Sequence, residues 1–159
     1  MRHTISALVY NQPGVLASMA AVFQQHGLNI FSISAGETER ADVSRIVICV
    51  DHDGERVAAA TAQLAGLPFV LGLEDLASHE LIDRELLLIK VRVAKDTVSQ
   101  LLQIIEVFRA NVVDMGNTTL VAELVATPGK VAGFLRALIP HGIVSVSRTG
   151  VIAVKRGDD

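Results

Sequence analysis

Apolar residues in the first part of the chain recur with two different periods. Every second residue of HTISALVY is apolar, which predicts a strand with one buried face. A helical period follows from Gly14 to His26, and Gly27 directly after it is typical of a helix end. The apolar face expected of this helix consists of Val15, Leu16, Met19, Val22 and Phe23.

The next stretch predicts two strands, a helix and a fourth strand. LNIFSISA and VSRIVICV are strand-like and are separated by the polar loop ETERAD. DHDGERVAAATAQLAG begins with acidic residues and carries Val57, Ala60 and Leu64 on one helical face, and LPFVLGLEDL then predicts a strand. The order βαββαβ is that of the ferredoxin-like fold, an antiparallel four-stranded sheet with both helices on one face. Because its other face and its edges stay open, we expect this module to associate with another subunit or domain.

The second part repeats this order after the polar interruption ASHELIDR. ELLLIKVRV predicts a strand, residues 96–110 a helix capped by Asp96 or Thr97, and NVVDM and TTLVAELVA two strands around a Gly116-Asn117 turn. TPGKVAGFLRALIPHG predicts a helix, and IVSVSRTGVIAVKR a last strand or hairpin. The apolar face expected of the first of these helices consists of Val98, Leu101, Leu102, Ile105 and Phe108. We therefore predict an α+β chain of two ferredoxin-like βαββαβ modules in tandem, residues 1–78 and 79–159.

A local repeat relates one helix of each module. PGVLASMAAVFQQHGLNI aligns without gaps on PGKVAGFLRALIPHGIVS, and both copies begin with Pro-Gly and contain His-Gly after the helix. This indicates a turn and a helix that the two copies share. The copies differ in that Asn11 and Asn29 correspond to Ala126 and Val144. Two carboxamides therefore bracket the first helix and not its counterpart.

The start of this helix and the two carboxamides could together bind a zwitterion. The N–H groups near Gly14 would take a carboxylate, and a glycine lets a ligand approach the backbone closely. The side-chain oxygens of Asn11 and Asn29 would take an ammonium group. The alternative is that Asn11 only caps the helix. The residues expected in the site, including an apolar lining for a branched side chain, are Asn11, Gly14, Val15, Leu16, Asn29 and Ile30.

Composition and motifs exclude several other functions. A net charge of −3, a single Tyr and no Trp argue against a nucleic-acid partner. The five histidines are scattered, and no catalytic or phosphate-binding motif is present, so we expect neither a metal site nor an enzyme. One cysteine, Cys49, excludes an internal disulfide, and no signal peptide or apolar stretch of about 20 residues is visible. These features predict a soluble cytoplasmic protein that makes no membrane contact.

The motifs NQPGVL, HGLNIFSI, VSRIVI, RELLLIKV and PHGIVSVSRTGVIAVKRG resemble those of one family. It is the small regulatory subunit of acetohydroxyacid synthase, also called acetolactate synthase, and the resemblance runs from near residue 3 to near 157. It implies that the first module is an ACT domain, the amino-acid-binding form of the ferredoxin-like fold. The effector residues that the resemblance carries over are Asn11, Gly14, Val15, Leu16, Asn29 and Ile30, with the ligand lying between two modules.

The same resemblance implies a function in branched-chain amino-acid biosynthesis. A homodimer of this chain would bind a separate catalytic large subunit, raise its activity and confer feedback inhibition by valine. No cofactor is implied for this chain, because thiamine diphosphate, Mg²⁺ and FAD belong to the catalytic subunit. The alternative is a stand-alone ACT-type amino-acid sensor that regulates another enzyme or transcription. No helix-turn-helix with a basic face is visible to support a transcriptional role.

Overall fold

The computed structural model describes residues 2–158, which form an alternation of strands and helices. The elements in chain order are β1 Arg2–Tyr10, α1 Val15–Gln25, β2 Ile30–Glu37, β3 Val43–Asp51, α2 Gly54–Ala65, β4 Val70–Asp75, β5 Leu81–Arg92, α3 Val98–Val107, β6 Asn111–Met115, β7 Thr119–Ala126, α4 Pro128–Leu138, β8 Ile143–Arg148 and β9 Ile152–Lys155. Short 3₁₀ turns follow β4 and α4.

The chain divides into two compact units, Met1–Ile82 with Val151–Asp159 and the intervening Asp83–Gly150. The extent of these units is not that of the modules expected at 1–78 and 79–159, since β9 groups with the first unit. Strand β9 pairs with β5, and just beyond it the N–H of Arg156 donates to the carbonyl of Glu80 at 2.9 Å. An ion pair of 2.5 Å between Lys155 Nζ and Glu74 Oε1 fixes the same segment.

The first unit contains an antiparallel sheet with the strand order β2-β3-β1-β4. The alternating residues of HTISALVY that were expected to be buried, Ile5, Ala7 and Val9, lie in the core with apolar residues of β3, α1 and α2. This is the βαββαβ arrangement predicted for the first module. The predicted face of α2, Val57, Ala60 and Leu64, is likewise buried.

The core face of α1 differs from the prediction at one residue. The structure buries Val15, Met19, Val22 and Phe23 but leaves Leu16 47% exposed. Successive residues of a helix are rotated by about 100°, which places Leu16 on the border of the buried stripe and in the first turn. The assignment of Leu16 to the core is therefore wrong, and its side chain is available at the surface.

The second unit has the strand order β6-β7-β5-β8 and a separate core. Its helices contribute Leu101 and Ile105 from α3 and Val131, Phe134 and Leu138 from α4. Together with the first unit this confirms the α+β class with two ferredoxin-like modules.

Three details refine the predictions made for the second module, residues 79–159. Leu102 was expected on the core face of α3, but it lies on the border of the stripe and is 40% exposed, so that assignment is wrong. Thr97, not Asp96, directly precedes the helix, but its side chain makes no capping hydrogen bond, so the predicted side-chain cap is wrong. The last segment forms two short strands, β8 and β9, and both pair with β5 instead of forming a hairpin with each other.

Candidate functional site

Helix α1 begins at a glycine without a side-chain cap. Gly14 has a φ of +86°, in the left-handed region that favours glycine, and no side chain accepts a hydrogen bond from the first turn. The first backbone bond of the helix runs from the N–H of Ser18 to the carbonyl of Gly14, at 3.0 Å. The N–H groups of the preceding residues therefore lack a carbonyl one turn back. A Cβ placed on Gly14 meets nothing within 4 Å, so the space beside Gly14 at the helix start is open.

The repeated Pro-Gly pair has a different conformation in the second unit. There Pro128 and Gly129 lie inside α4, and Thr127 Oγ1 accepts a hydrogen bond from the N–H of Lys130 at 3.4 Å. The corresponding residue before α1 is Gln12, which is not among the short polar residues that cap helices. The prediction that both copies share one turn is therefore wrong. At the other end the copies do agree, because the glycine after each His has a positive φ.

Asn11 follows β1 directly and does not cap α1. Its backbone N–H donates to the carbonyl of Asp42 at 2.8 Å, which holds the segment in place. The Asn11 side chain is exposed and makes no hydrogen bond within residues 2–158. The side chain of the neighbouring Asp42 is bonded to Arg40 and not to Asn11, at 2.8 and 3.3 Å. This hydrogen bonding holds the pKa of the Asp42 carboxyl below its usual value. The carboxamide is thus left available, and the capping alternative for Asn11 is wrong.

Asn29 and Ile30 lie beyond the opposite end of α1. The helix ends in a Schellman motif, in which the N–H groups of Gly27 and Leu28 donate to carbonyls three and five residues earlier, at 3.0 and 2.9 Å. Asn29 is exposed, and its side chain also makes no hydrogen bond in the part of the chain that the structure describes. Ile30 is half-buried against the core at the start of β2.

The structure separates the predicted site residues into two groups within one chain. Tyr10, just before Asn11, pairs with Val43, whereas Ile30 pairs with Val50, which also pairs with His3. The seven steps from His3 to Tyr10 along the strand span about 23 Å at roughly 3.3 Å per residue. One small amino acid cannot contact both groups in a single copy. Asn11, Gly14, Val15 and Leu16 therefore lie together at one end of the sheet, and Asn29 and Ile30 lie at the other.

Comparisons with known proteins agree over both units. The model of the AHAS small subunit-like ACT domain matches residues 5–72, and that of the small subunit of acetolactate synthase matches residues 84–157. The acetolactate synthase small subunit of Mycolicibacterium smegmatis is 39% identical over 155 residues, which cover 98% of this chain and 91% of that protein. The chain belongs to the acetolactate synthase small-subunit family.

Further relatives of the acetolactate synthase small-subunit family agree with this assignment. A probable acetolactate synthase small subunit of Archaeoglobus fulgidus is 35% identical over 99% of both chains. The crystal structure of the acetolactate synthase small subunit from Thermotoga maritima superposes with a TM-score of 0.88 at 31% identity, covering 100% of this chain and 99% of that one. The resemblance read from the motifs is confirmed, as is the ACT domain in the first module. These names fit the expected regulatory subunit.

The ACT domain also has an open edge that the sequence prediction did not assign to the site. Strand β2 is outermost in its sheet and contains neither Pro nor Lys, the residues that commonly protect an edge. Phe31 lies at a bulge and is 54% exposed, and Ile33 is 42% exposed. The sequence did contain a signal for this edge: the apolar residues of LNIFSISA are spaced so that both faces of the strand are partly apolar. The edge is free to pair with another strand.

The structure also bears on the metal site and the membrane-spanning segment considered from the sequence. Within residues 2–158 no group of three His, Cys, Asp or Glu side chains is placed to hold a metal ion. In the same range, every helix is too short or too polar to span a bilayer.

Proposed function

We propose that this chain is a non-catalytic regulatory subunit that activates the catalytic large subunit of acetolactate synthase and makes it subject to feedback inhibition by valine. The observation that carries the proposal is an uncapped helix start with open space beside it, accompanied by two exposed carboxamides without internal partners. These features lie in the ACT domain of an acetolactate synthase small-subunit family member. Thiamine diphosphate, Mg²⁺ and FAD would be held by the catalytic partner.

The two halves of the proposed site meet when two copies pair through β2. Strand β2 starts at the end of the sheet where α1 finishes, and it runs towards the end where α1 begins. Antiparallel pairing of two β2 edges reverses one copy, so that Asn29 of that copy lies at the end where Gly14 of the other lies. The two-fold arrangement creates two equivalent sites. The chain would therefore act as a homodimer joined through its ACT domains.

Each part of the site has a chemical counterpart in a zwitterionic branched-chain amino acid. The N–H groups at the start of α1, beginning at Val15, would donate to the ligand carboxylate, as helix N-termini commonly do for anions. The side-chain oxygens of Asn11 and Asn29 would accept from its ammonium group. Val15 itself is buried in the core, so its side chain supports the helix and only its N–H is offered. The exposed Leu16 and half-buried Ile30 would enclose the branched side chain.

Regulation follows from the fact that valine would bridge two copies. A ligand shifts a conformational equilibrium only by its difference in affinity for the two states. Valine would favour the dimer arrangement that closes the site, and the catalytic subunit bound to that dimer would respond. Because such coupling is reciprocal, valine and the catalytic subunit are expected to change each other's affinity by roughly 5- to 150-fold.

Mixing the chain with the acetolactate synthase catalytic subunit tests this function directly. We expect the chain to raise the rate of acetolactate formation, and valine to lower the rate of the mixture without affecting the catalytic subunit alone. The measurement is product formation over a range of valine concentrations. Absence of activation contradicts the regulatory role, and equal inhibition of the catalytic subunit alone places the valine site elsewhere.

Replacing Asn29 with Ala is expected to weaken valine binding. The change removes one hydrogen bond to a charged group, a contribution of about 1.5–3 kcal/mol, or roughly a 10- to 100-fold increase in Kd. Calorimetric titration with valine measures the change. The matched control is Asn117→Ala, because Asn117 is also exposed but lies in the β6–β7 turn of the second unit. An unchanged Kd for Asn29→Ala removes that residue from the site.

A further inference from the structure

The turn from α3 into β6 has the same backbone geometry as the turn from α1 into β2. Arg109 has a φ of 56° where Gly27 has a φ of 65°, and each N–H donates to the carbonyl three residues earlier, at 2.9 and 3.0 Å. The next residue in each turn donates to the carbonyl five residues earlier, at 2.9 Å. An arginine seldom adopts this left-handed conformation, so the second unit keeps the turn despite its strain.

The correspondence continues into the strand. Asn111 and Val112 follow the turn in β6 at the positions that Asn29 and Ile30 occupy in the first unit. In both edge strands the pairing register shifts directly after these two residues, which makes Val113 the counterpart of Phe31. The two bulge residues are exposed to a similar degree, 50% and 54%. Strand β6 thus reproduces the open edge of β2.

The surface of strand β6 is typical of an edge strand that pairs with another strand. It is outermost in the order β6-β7-β5-β8, and each of its five residues is exposed. Val112, Val113 and Met115 are large and apolar, and the strand contains no Lys, Arg or Pro. Such an edge invites strand pairing, because free backbone groups lie beside apolar side chains.

The ligand half of the effector site has no counterpart in this unit. Before α3, the carbonyl of Ala94 accepts hydrogen bonds from the N–H groups of Thr97 and Val98, at 3.1 and 2.9 Å. These helix-start donors are therefore satisfied by the chain itself. The segment also lacks a glycine like Gly14. The second unit retains the edge for pairing without the opening for an amino acid.

We infer that β6 is a second edge for self-association, at which two copies of this chain pair antiparallel without an effector. The inference rests on the proposed pairing of β2 edges, which β6 reproduces. The only charge on the strand is Asp114. Pairing centred on Val113 sets the two Val113 residues opposite each other, Asp114 opposite Val112 and Asn111 opposite Met115, so that the two carboxylates do not face each other. Because β6 repeats the features of the edge proposed to pair between copies and opposes no like charges in this register, a second copy is the occupant.

Disulfide trapping in the full-length chain tests the pairing. In a Cys49→Ser background, Val113→Cys places a thiol at the centre of the paired edge. Directly opposed residues of antiparallel strands lie about 4.5–5.5 Å apart between Cα atoms, within the range of roughly 4.4–6.8 Å that a disulfide bridges. Mild oxidation is expected to double the mass of this variant on a non-reducing denaturing gel. The control is Val125→Cys, which is 59% exposed on β7 behind the edge and is expected to stay single.

Two results would overturn the inference. One is no covalent dimer of Val113→Cys, and the other is an equal yield from Val125→Cys. Sedimentation gives a second measurement that needs no cysteine, in a Phe31→Asp background that disrupts the β2 edge. Adding Val113→Asp to this background should give a monomer, whereas adding Val125→Asp should leave a dimer. Equal masses of the two double variants contradict the inference. Valine calorimetry on the unmodified chain separates the two proposals, because failure at β6 leaves valine binding intact, whereas absent valine binding with trapped dimers overturns only the effector site.

Discussion

Replacing Gly14 with Asp is expected to abolish valine binding and, with it, the valine response of the mixture with the catalytic subunit. The new carboxylate would lie at the uncapped start of α1, where the proposed ligand places its own carboxylate, and nothing within 4 Å of the added Cβ would displace it. Two charge-assisted hydrogen bonds lost at about 1.5 kcal/mol each correspond to at least a roughly 100-fold rise in Kd. Calorimetry with valine measures it.

The control for this substitution is Gly14→Asn. Asparagine has nearly the volume of aspartate and tolerates the same positive φ, but it carries no charge. We expect its Kd to be at least about tenfold lower than that of Gly14→Asp, since repulsion of the ligand carboxylate is absent. If both variants lose binding equally, bulk or strain at residue 14 is responsible and the assignment of the carboxylate position is wrong.

Mixed dimers extend the same test to the arrangement of the site. A Gly14→Asp copy keeps Asn29, and an Asn29→Ala copy keeps Gly14. If the helix start of one copy faces the strand of the other, a dimer of these two variants contains one intact site and one doubly altered site. The mixed dimer, isolated after co-expression with two different affinity tags, is therefore expected to bind valine at half the normal stoichiometry. No restoration would contradict the assignment of the two groups to one site shared between copies.

Replacing Phe134 with Ala is expected to have the largest effect on stability. Phe134 is fully buried in the second unit, and its ring lies 5.2 Å from that of Phe108, measured between centroids. Deleting a buried phenylalanine ring removes apolar contacts and leaves a cavity, which typically lowers the free energy of unfolding by about 3–5 kcal/mol. Urea unfolding followed by circular dichroism measures the loss.

A surface substitution in the same unit provides the comparison for Phe134→Ala. Val107 ends α3 and is 77% exposed, so Val107→Ala should change the free energy of unfolding by no more than about 0.5 kcal/mol. A loss below about 1.5 kcal/mol for Phe134→Ala would mean that Phe108 and its neighbours collapse into the vacated space.

The periodicity of apolar residues was sufficient for the elements that bury one face, whereas β6 is exposed along its length. Ile5, Ala7 and Val9 alternate in the sequence and are all within 1% of full burial. Leu16 and Leu102 were misassigned for a specific reason: each lies on the border of a buried stripe, and periodicity does not say how far the neighbouring element extends. Burial at such borders depends on packing between elements distant in sequence.

The sequence indicated candidate residues for the site but not their backbone geometry. Asn11 and Asn29 stand out from the repeat, yet the conformation of the shared Pro-Gly depends on whether the preceding residue caps the helix. Thr127 does so and Gln12 does not, and this difference decides whether the glycine lies inside the helix or before it. Alignment of the two copies conceals the distinction, since the dipeptide itself is identical.

The return of Val151–Asp159 to the first unit has a consequence for biosynthesis. Most of that unit precedes the second unit in the chain, but it includes a segment synthesised after the whole of the second unit. Folding on the ribosome can therefore finish Asp83–Gly150 before the earlier unit is complete, the reverse of the usual order. A premature stop codon directly after Gly150 would therefore remove β9 from the unit that is translated first.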